Sequence, residues 1–175
     1  YDAKQIYMAQ ISNLDKKYDP AIEPIRALYD EYFGGGMNSI VFQEMRETRG
    51  LAYSAWASIM PPSYLKYPYV LRTQIATQND KMIDAVTTFN DIINNMPESE
   101  AAFKLAKDGL TNRLRTERII KGDIIWSYIN AQDLGQNVDP RIKLYNDIQN
   151  MSLKDIVDFQ KQWVKGRTYV YCILG

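Results

Sequence analysis

The apolar residues of this chain change period at Gly50, and that change limits the folds open to it. Before the glycine, Ile22, Ile25, Leu28, Tyr29 and Tyr32 recur at helical spacing, with Pro24 in the first turn. A second helix is predicted from Asn38 or Ser39, both N-cap types, to Arg49, with Gly50 as its left-handed C-terminal cap. After it, Leu51, Tyr53, Ala55, Ala57 and Ile59 alternate as one face of a strand, which Pro61-Pro62 ends. Tyr69 to Thr77 reads as its antiparallel partner, because the connection from Pro61 to Pro68 is short. Helices are predicted over Asp80 to Asn95, Glu98 to Ile120, Asp123 to Leu134, Pro140 to Asn150 and Ser152 to Val164, the last opening on a Ser152/Asp155 capping box. Strands Gln5 to Ile11 and Thr168 to Leu174 flank the whole, with a polar loop from Ser12 to Pro20. Strands at the start, middle and end around a helical block describe an α+β two-layer sandwich, a mainly antiparallel sheet covered on one face by helices. Its 175 residues, which start at Tyr1 without an initiator methionine, read as one domain, 1–175, excised from a longer multi-domain polypeptide.

Composition removes whole classes of chemistry. There is no histidine, so the chain holds no Ser-His or Cys-His nucleophile, no imidazole proton shuttle and no H-x-x-E-H zinc site. Lysine plus arginine balances aspartate plus glutamate at 21 each, which argues against a nucleic-acid partner, since affinity for a polyanion comes chiefly from phosphate neutralisation. The longest apolar run, Tyr169 to Leu174, is far shorter than the ~18 residues of a membrane span. Cys172 is the lone cysteine and, inside that run, reads as a buried structural thiol.

Several groupings bear on function. Gly34-Gly35-Gly36 before a helix offers backbone N–H groups to an anion, yet follows a helix rather than a strand; a tight turn that lets two helices pack closely is the favoured reading. Glu44 and Glu47 lie three apart with no third ligand type nearby, so they read as a solvated face and no metal site is assigned. Arg113, Arg115, Arg118 and Lys121 read likewise as one solvated helix face. Trp56, Trp126 and Trp163 fall mostly at core spacing, while Tyr64, Tyr67 and Tyr69 with Pro61, Pro62 and Pro68 suggest an exposed contact surface. Arg46 and Tyr53 stand on either side of the Gly50 reversal. Read from the residues alone, they are an exposed helix-terminal arginine and a half-buried tyrosine; alternatively they form a pair of hydrogen-bond donors at one rim, able to hold a peptide carbonyl and a developing oxyanion.

The segment Phe33 to Ser54 carries Gly-Gly-Gly-Met, a small polar pair, Phe-Gln-Glu, Arg-Glu and Gly-Leu-Ala-Tyr-Ser in order, and in this it resembles the insulysin/pitrilysin-like zinc metallopeptidases. The helical block, Trp163-Val164-Lys165-Gly166-Arg167 and the closing strand extend the likeness over nearly the whole chain. Members of that family have four similar α+β domains in two halves that close around a peptide, and only the first domain binds zinc. Lacking histidine, this chain resembles a non-catalytic domain, of the kind found in the C-terminal half. The resemblance implies no catalytic residue, metal or cofactor in this chain and zinc in a partner catalytic half, on the same polypeptide or a separate subunit. It further implies that Arg46 holds a backbone carbonyl of a peptide substrate, that Tyr53 hydrogen-bonds the scissile carbonyl, and that Gly34, Gly35, Gly36 and Gly50 are structural. The isolated chain is then expected to be inactive, and a periplasmic or bacterial-envelope setting is implied. The alternative that the family offers is a structural, protein-interaction domain of a proteolytically inactive relative.

Overall fold

The computed structural model describes residues 4–175. Strand β1 (Gln5–Lys17) runs six residues further than the predicted Gln5 to Ile11. The expected loop is strand because inward-facing Ser12 and Leu14 are buried and Asn13 still pairs with Val70. The ladder shifts register between Asn13 and Lys17, where Asp15 takes φ +53 and its N–H donates to Asn13 Oδ1 at 2.8 Å. Helix α1 (Glu23–Phe33) follows, with Pro24 in its first turn and Leu28, Tyr29, Tyr32 and Phe33 buried.

A polar network locks α1 to strand β2 (Ser54–Met60). Asp30 accepts from Ile59 N–H at 2.8 Å and from the Ser58 hydroxyl at 2.9 Å, and it pairs with Arg26 at 2.8 Å. Arg26 also donates to Ile59 O and pairs with Glu23. Desolvation by burial pushes the Asp30 carboxyl up to about 6 against the opposing pull of Arg26 and the two donors. Gly34 follows directly, and a Cβ there would stand 2.3 Å from Ala57 O. Only glycine lets the end of α1 sit this close to the β2 backbone.

Strand β3 (Pro68–Gln78) lies between β2 and β1 in an antiparallel sheet that the last strand, β4 (Val170–Leu174), completes in the order β2-β3-β1-β4. Alternation places Ala55, Ala57 and Ile59 of β2, Tyr69, Leu71 and Ile75 of β3, and Met8 and Leu14 of β1 in the core under the helices. The α+β architecture expected from periodicity is therefore the one observed. After the short helix α2 (Ile40–Phe42) come α3 (Met82–Asn94), entered through a 3₁₀ turn (Asn79–Lys81), and a further four. These are α4 (Glu100–Thr116), α5 (Gly122–Asp133), α6 (Pro140–Ile148) and α7 (Leu153–Trp163). The capping box at Ser152 and Asp155 is present, with Ser152 N–H donating to Asp155 at 2.8 Å. Tyr29 of α1 meets Phe159 of α7 in a tilted ring contact, and Phe159 stacks on Trp163.

The structure corrects further expectations from the sequence. Helix α4 stops at Thr116, not Ile120, because Glu117 is extended; Arg113 pairs with Glu31 at 2.8 Å, Arg115 donates to the Tyr145 hydroxyl, and Arg118 lies beyond the helix, so the basic run is not one face. Tyr69 is fully buried, its hydroxyl donating to Glu23 at 2.5 Å, so of the three tyrosines in that cluster Tyr64 and Tyr67 are exposed. Trp126 is 65% exposed on α5, a helix with no buried residue. Cys172 is exposed, because β4 (Val170–Leu174) is an edge strand and none of its residues is covered.

Candidate functional site at the Gly50 reversal

The reversal begins at Ser39, whose backbone is extended and whose side chain accepts from Phe42 N–H while its hydroxyl donates to Gly36 O at 2.6 Å. Three α-helical residues (α2, Ile40–Phe42) then widen into a π-helical turn, Gln43–Thr48, where a regular helix was predicted to continue to Arg49. The wider turn is accompanied by an unusual use of one carbonyl. Met45, fully buried, accepts from both Leu51 N–H at 2.8 Å and Ala52 N–H at 3.2 Å, while Arg46 O accepts from Gly50 N–H at 3.1 Å. Gly50 has φ +59, the left-handed value that suits glycine. Leu51 and Ala52 thus belong to the cap, and β2 begins at Ser54 instead of Leu51.

Tyr53 leaves the reversal with its N–H bonded to Ala76 O at 2.8 Å, which seats it against β3. Its side chain is 51% exposed, and its hydroxyl oxygen accepts from Gln78 Nε2 at 2.7 Å. The end of β3 also clamps the cap. Thr77 donates to Leu51 O at 2.6 Å and Lys81 Nζ donates to Gly50 O at 3.1 Å. Together Gly50, Leu51, Ala52, Tyr53, Thr77, Gln78 and Lys81 line a small open depression of about 50 Å³.

Arg46 stands outside that lining, on the adjoining π-helical turn. Its guanidinium lies 5.1 Å from the Phe42 ring centroid and 3.6 Å from Glu47, and the side chain is half exposed. The structure ties the two predicted residues together through the backbone: Arg46 O holds Gly50, Met45 O holds Leu51 and Ala52, and Tyr53 follows. Tyr53 thus lines the depression while Arg46 stands outside it with Glu47 as its carboxylate neighbour, and each carries hydrogen-bond donors.

Of the glycine group, Gly34 is required by the approach to β2, and a Cβ on Gly35 would stand 2.8 Å from Asp30 O, whereas one on Gly36 would meet nothing within 4 Å. Glu44 faces Arg49 at 3.4 Å and Glu47 faces Arg46, and the described residues hold no cluster of three metal-ligating side chains. No helix among the described residues is long and apolar enough to cross a membrane. Sequence reading missed Gln78 and Lys81. The signal was the hairpin register: Ser54 pairs with Ala76, which carries the end of β3 past Tyr53.

Comparison with known proteins gives this geometry a context. The family model described as the peptidase M16 inactive domain matches residues 13–110, more than half of the chain and the whole of the Gly50 region. The structure is similar to the peptidase M16 inactive domain from Pseudomonas fluorescens, with a TM-score of 0.76 at 14% identity over 99% of this chain and 41% of that one. It is similar also to an inactive peptidase domain from Bordetella parapertussis (TM-score 0.75, 12% identity, 98% of this chain and 94% of that one). A third likeness is to the periplasmic protease PqqL from Escherichia coli (TM-score 0.73, 12% identity, 99% of this chain and 19% of that one). The chain spans about two fifths of the length of the Pseudomonas fluorescens structure. No curated protein sequence matches it.

Proposed function

The chain belongs to the peptidase M16 inactive-domain family, and from that premise we propose that it is the substrate-side domain of a zinc-dependent metalloendopeptidase. In this reading it completes, across a closed chamber, the active site of a zinc-bearing half on the same polypeptide or a separate subunit. The bound peptide lies between the two. The likeness to a periplasmic protease supports an envelope setting for the parent.

The observation that carries the reading is the state of Tyr53. Its phenol is half exposed at a hydrogen-bonded reversal, and its oxygen takes a hydrogen bond from Gln78. A phenol oxygen that accepts from an amide keeps its own proton to donate. On closure the hydroxyl donates a hydrogen bond to the scissile carbonyl oxygen as it becomes tetrahedral, and Arg46, held by Phe42 and Glu47 at half exposure, donates to a neighbouring backbone carbonyl of the peptide. Zinc on the partner half would supply the activated water. Making the donor part of the opposite half turns closure into a condition for turnover.

Steady-state hydrolysis of a peptide by the intact parent protein tests this. Arg46→Ala is expected to raise KM with kcat little changed, and Tyr53→Phe to lower kcat by ~10²-fold with zinc content and Tm unchanged. Wild-type kinetics in both variants would leave the domain as scaffold, the structural role of inactive relatives.

A further inference from the structure

We propose that Gln78 is a positioning residue for Tyr53, acting by dictating which way the phenol proton points; this rests on the substrate-side role of Tyr53 argued above. A phenol has one proton to donate and accepts through its oxygen lone pairs. Whether it stabilises an oxyanion depends on whether that proton faces the chamber or is already engaged by the protein. Gln78 Nε2 stands 2.7 Å from the Tyr53 oxygen and donates to it. The amide therefore fills an acceptor position on the protein side and leaves the proton for the outward direction. A carboxylate in the same place does the reverse: it has no proton to give, captures the phenol's, and turns the donor away from the substrate.

The surroundings hold Gln78 in register for this. It is the last residue of β3 and pairs with Gln5 of β1, so the central part of the sheet sets its backbone. Thr77 and Lys81, on either side of it, are bonded to Leu51 O and Gly50 O, which fixes the distance between the end of β3 and the reversal that carries Tyr53. The two backbones that bear Gln78 and Tyr53 are thereby joined at three points, counting Tyr53 N–H to Ala76 O. Half-exposed Tyr53 gains its orientation from a residue 25 positions later, with no contact between Gln78 and substrate required.

The near-isosteric exchange Gln78→Glu separates this from a merely structural role. In the intact parent, with zinc content and Tm as controls, kcat for peptide hydrolysis is expected to fall by ~10²-fold, as for Tyr53→Phe, with KM unchanged. Gln78→Met, which removes the amide but captures no proton, should lose only about five- to tenfold, the effect of one net hydrogen bond. The double variant Tyr53→Phe/Gln78→Glu should be no slower than Tyr53→Phe alone, because without the hydroxyl there is nothing left to orient. If Tyr53→Phe is impaired while Gln78→Glu is as fast as wild type, the positioning role is overturned and the role of Tyr53 stands. If Gln78→Glu and Gln78→Met lose equally, the proton-direction argument is wrong. Full activity of Tyr53→Phe overturns the functional reading itself, and this inference with it.

Discussion

Replacing Gly34 with alanine puts a methyl group into the backbone of β2. Its Cβ would lie 2.3 Å from Ala57 O, 2.4 Å from Ala57 N and 2.8 Å from Ala57 C, so the overlap with ordinary van der Waals contact is about 1 Å. These are backbone atoms of a paired strand, with Ala57 opposite Thr73, and no side-chain rotation relieves them. Gly34 has φ −141, outside the left-handed region, so the steric overlap with Ala57 is the cost that distinguishes this site. The strand has to move, which weakens the Ala57 N–H to Gly34 O contact at 3.4 Å and the Asp30 bonds to Ser58 and Ile59, the next two residues. Overpacking of this kind costs about 1–3 kcal/mol, and lost buried hydrogen bonds add ~1 kcal/mol or more. A total of about 3 kcal/mol is expected. With a urea m-value of ~2 kcal/mol/M, the unfolding midpoint should drop by ~1.5 M. Gly36→Ala, where a Cβ meets nothing within 4 Å, is the matched control and should stay within ~0.5 kcal/mol of the parent chain. Equal midpoints for Gly34→Ala and Gly36→Ala would refute the claim that helix α1 and β2 are held in unyielding contact.

Asp30 gives a pH prediction. Its folded-state value of about 6 lies above the unfolded value of about 3.9, so the native chain binds the extra proton between the two and Asp30 adds stability as pH falls through 6. The stability of wild type relative to Asp30→Asn should therefore grow by up to about 3 kcal/mol from pH 7 to pH 4 and then level off, read from urea melts at each pH; a flat or opposite trend contradicts it. Ser152→Ala breaks the capping box of α7 and should cost about 1 kcal/mol at pH 7. Chevron or melting data showing no loss would mean that the box does not support the helix.

The legible part of this fold was what periodicity reports: which stretches bury one face. The helix and strand order follows from it, as do Gly50 at its cap and Ser152 at its box. What local pattern does not carry is the neighbour. Tyr169 to Leu174 has the composition of a central strand, yet sits at the sheet edge, so Cys172 is exposed. Tyr69 sits among prolines and looks superficial, but its strand is flanked on both sides and its hydroxyl finds Glu23. The Ser12–Lys17 stretch is polar enough for a loop, and pairing with β3 keeps most of it extended. At the site, the linear motif pointed to Arg46 and Tyr53, whereas Gln78 and Lys81 arrive through the β2–β3 register, a long-range property. The π-helical turn before Gly50 had no local signature at all.

The central claim, that the Tyr53 hydroxyl acts on the reacting carbonyl, is tested most directly by single-turnover peptide hydrolysis with the parent enzyme in excess, wild type against Tyr53→Phe. This isolates the chemical step from product release. The expected result is a ~10²-fold slower bond-breaking step with an unchanged concentration dependence. A Tyr53→Phe rate equal to wild type under the same conditions contradicts the account.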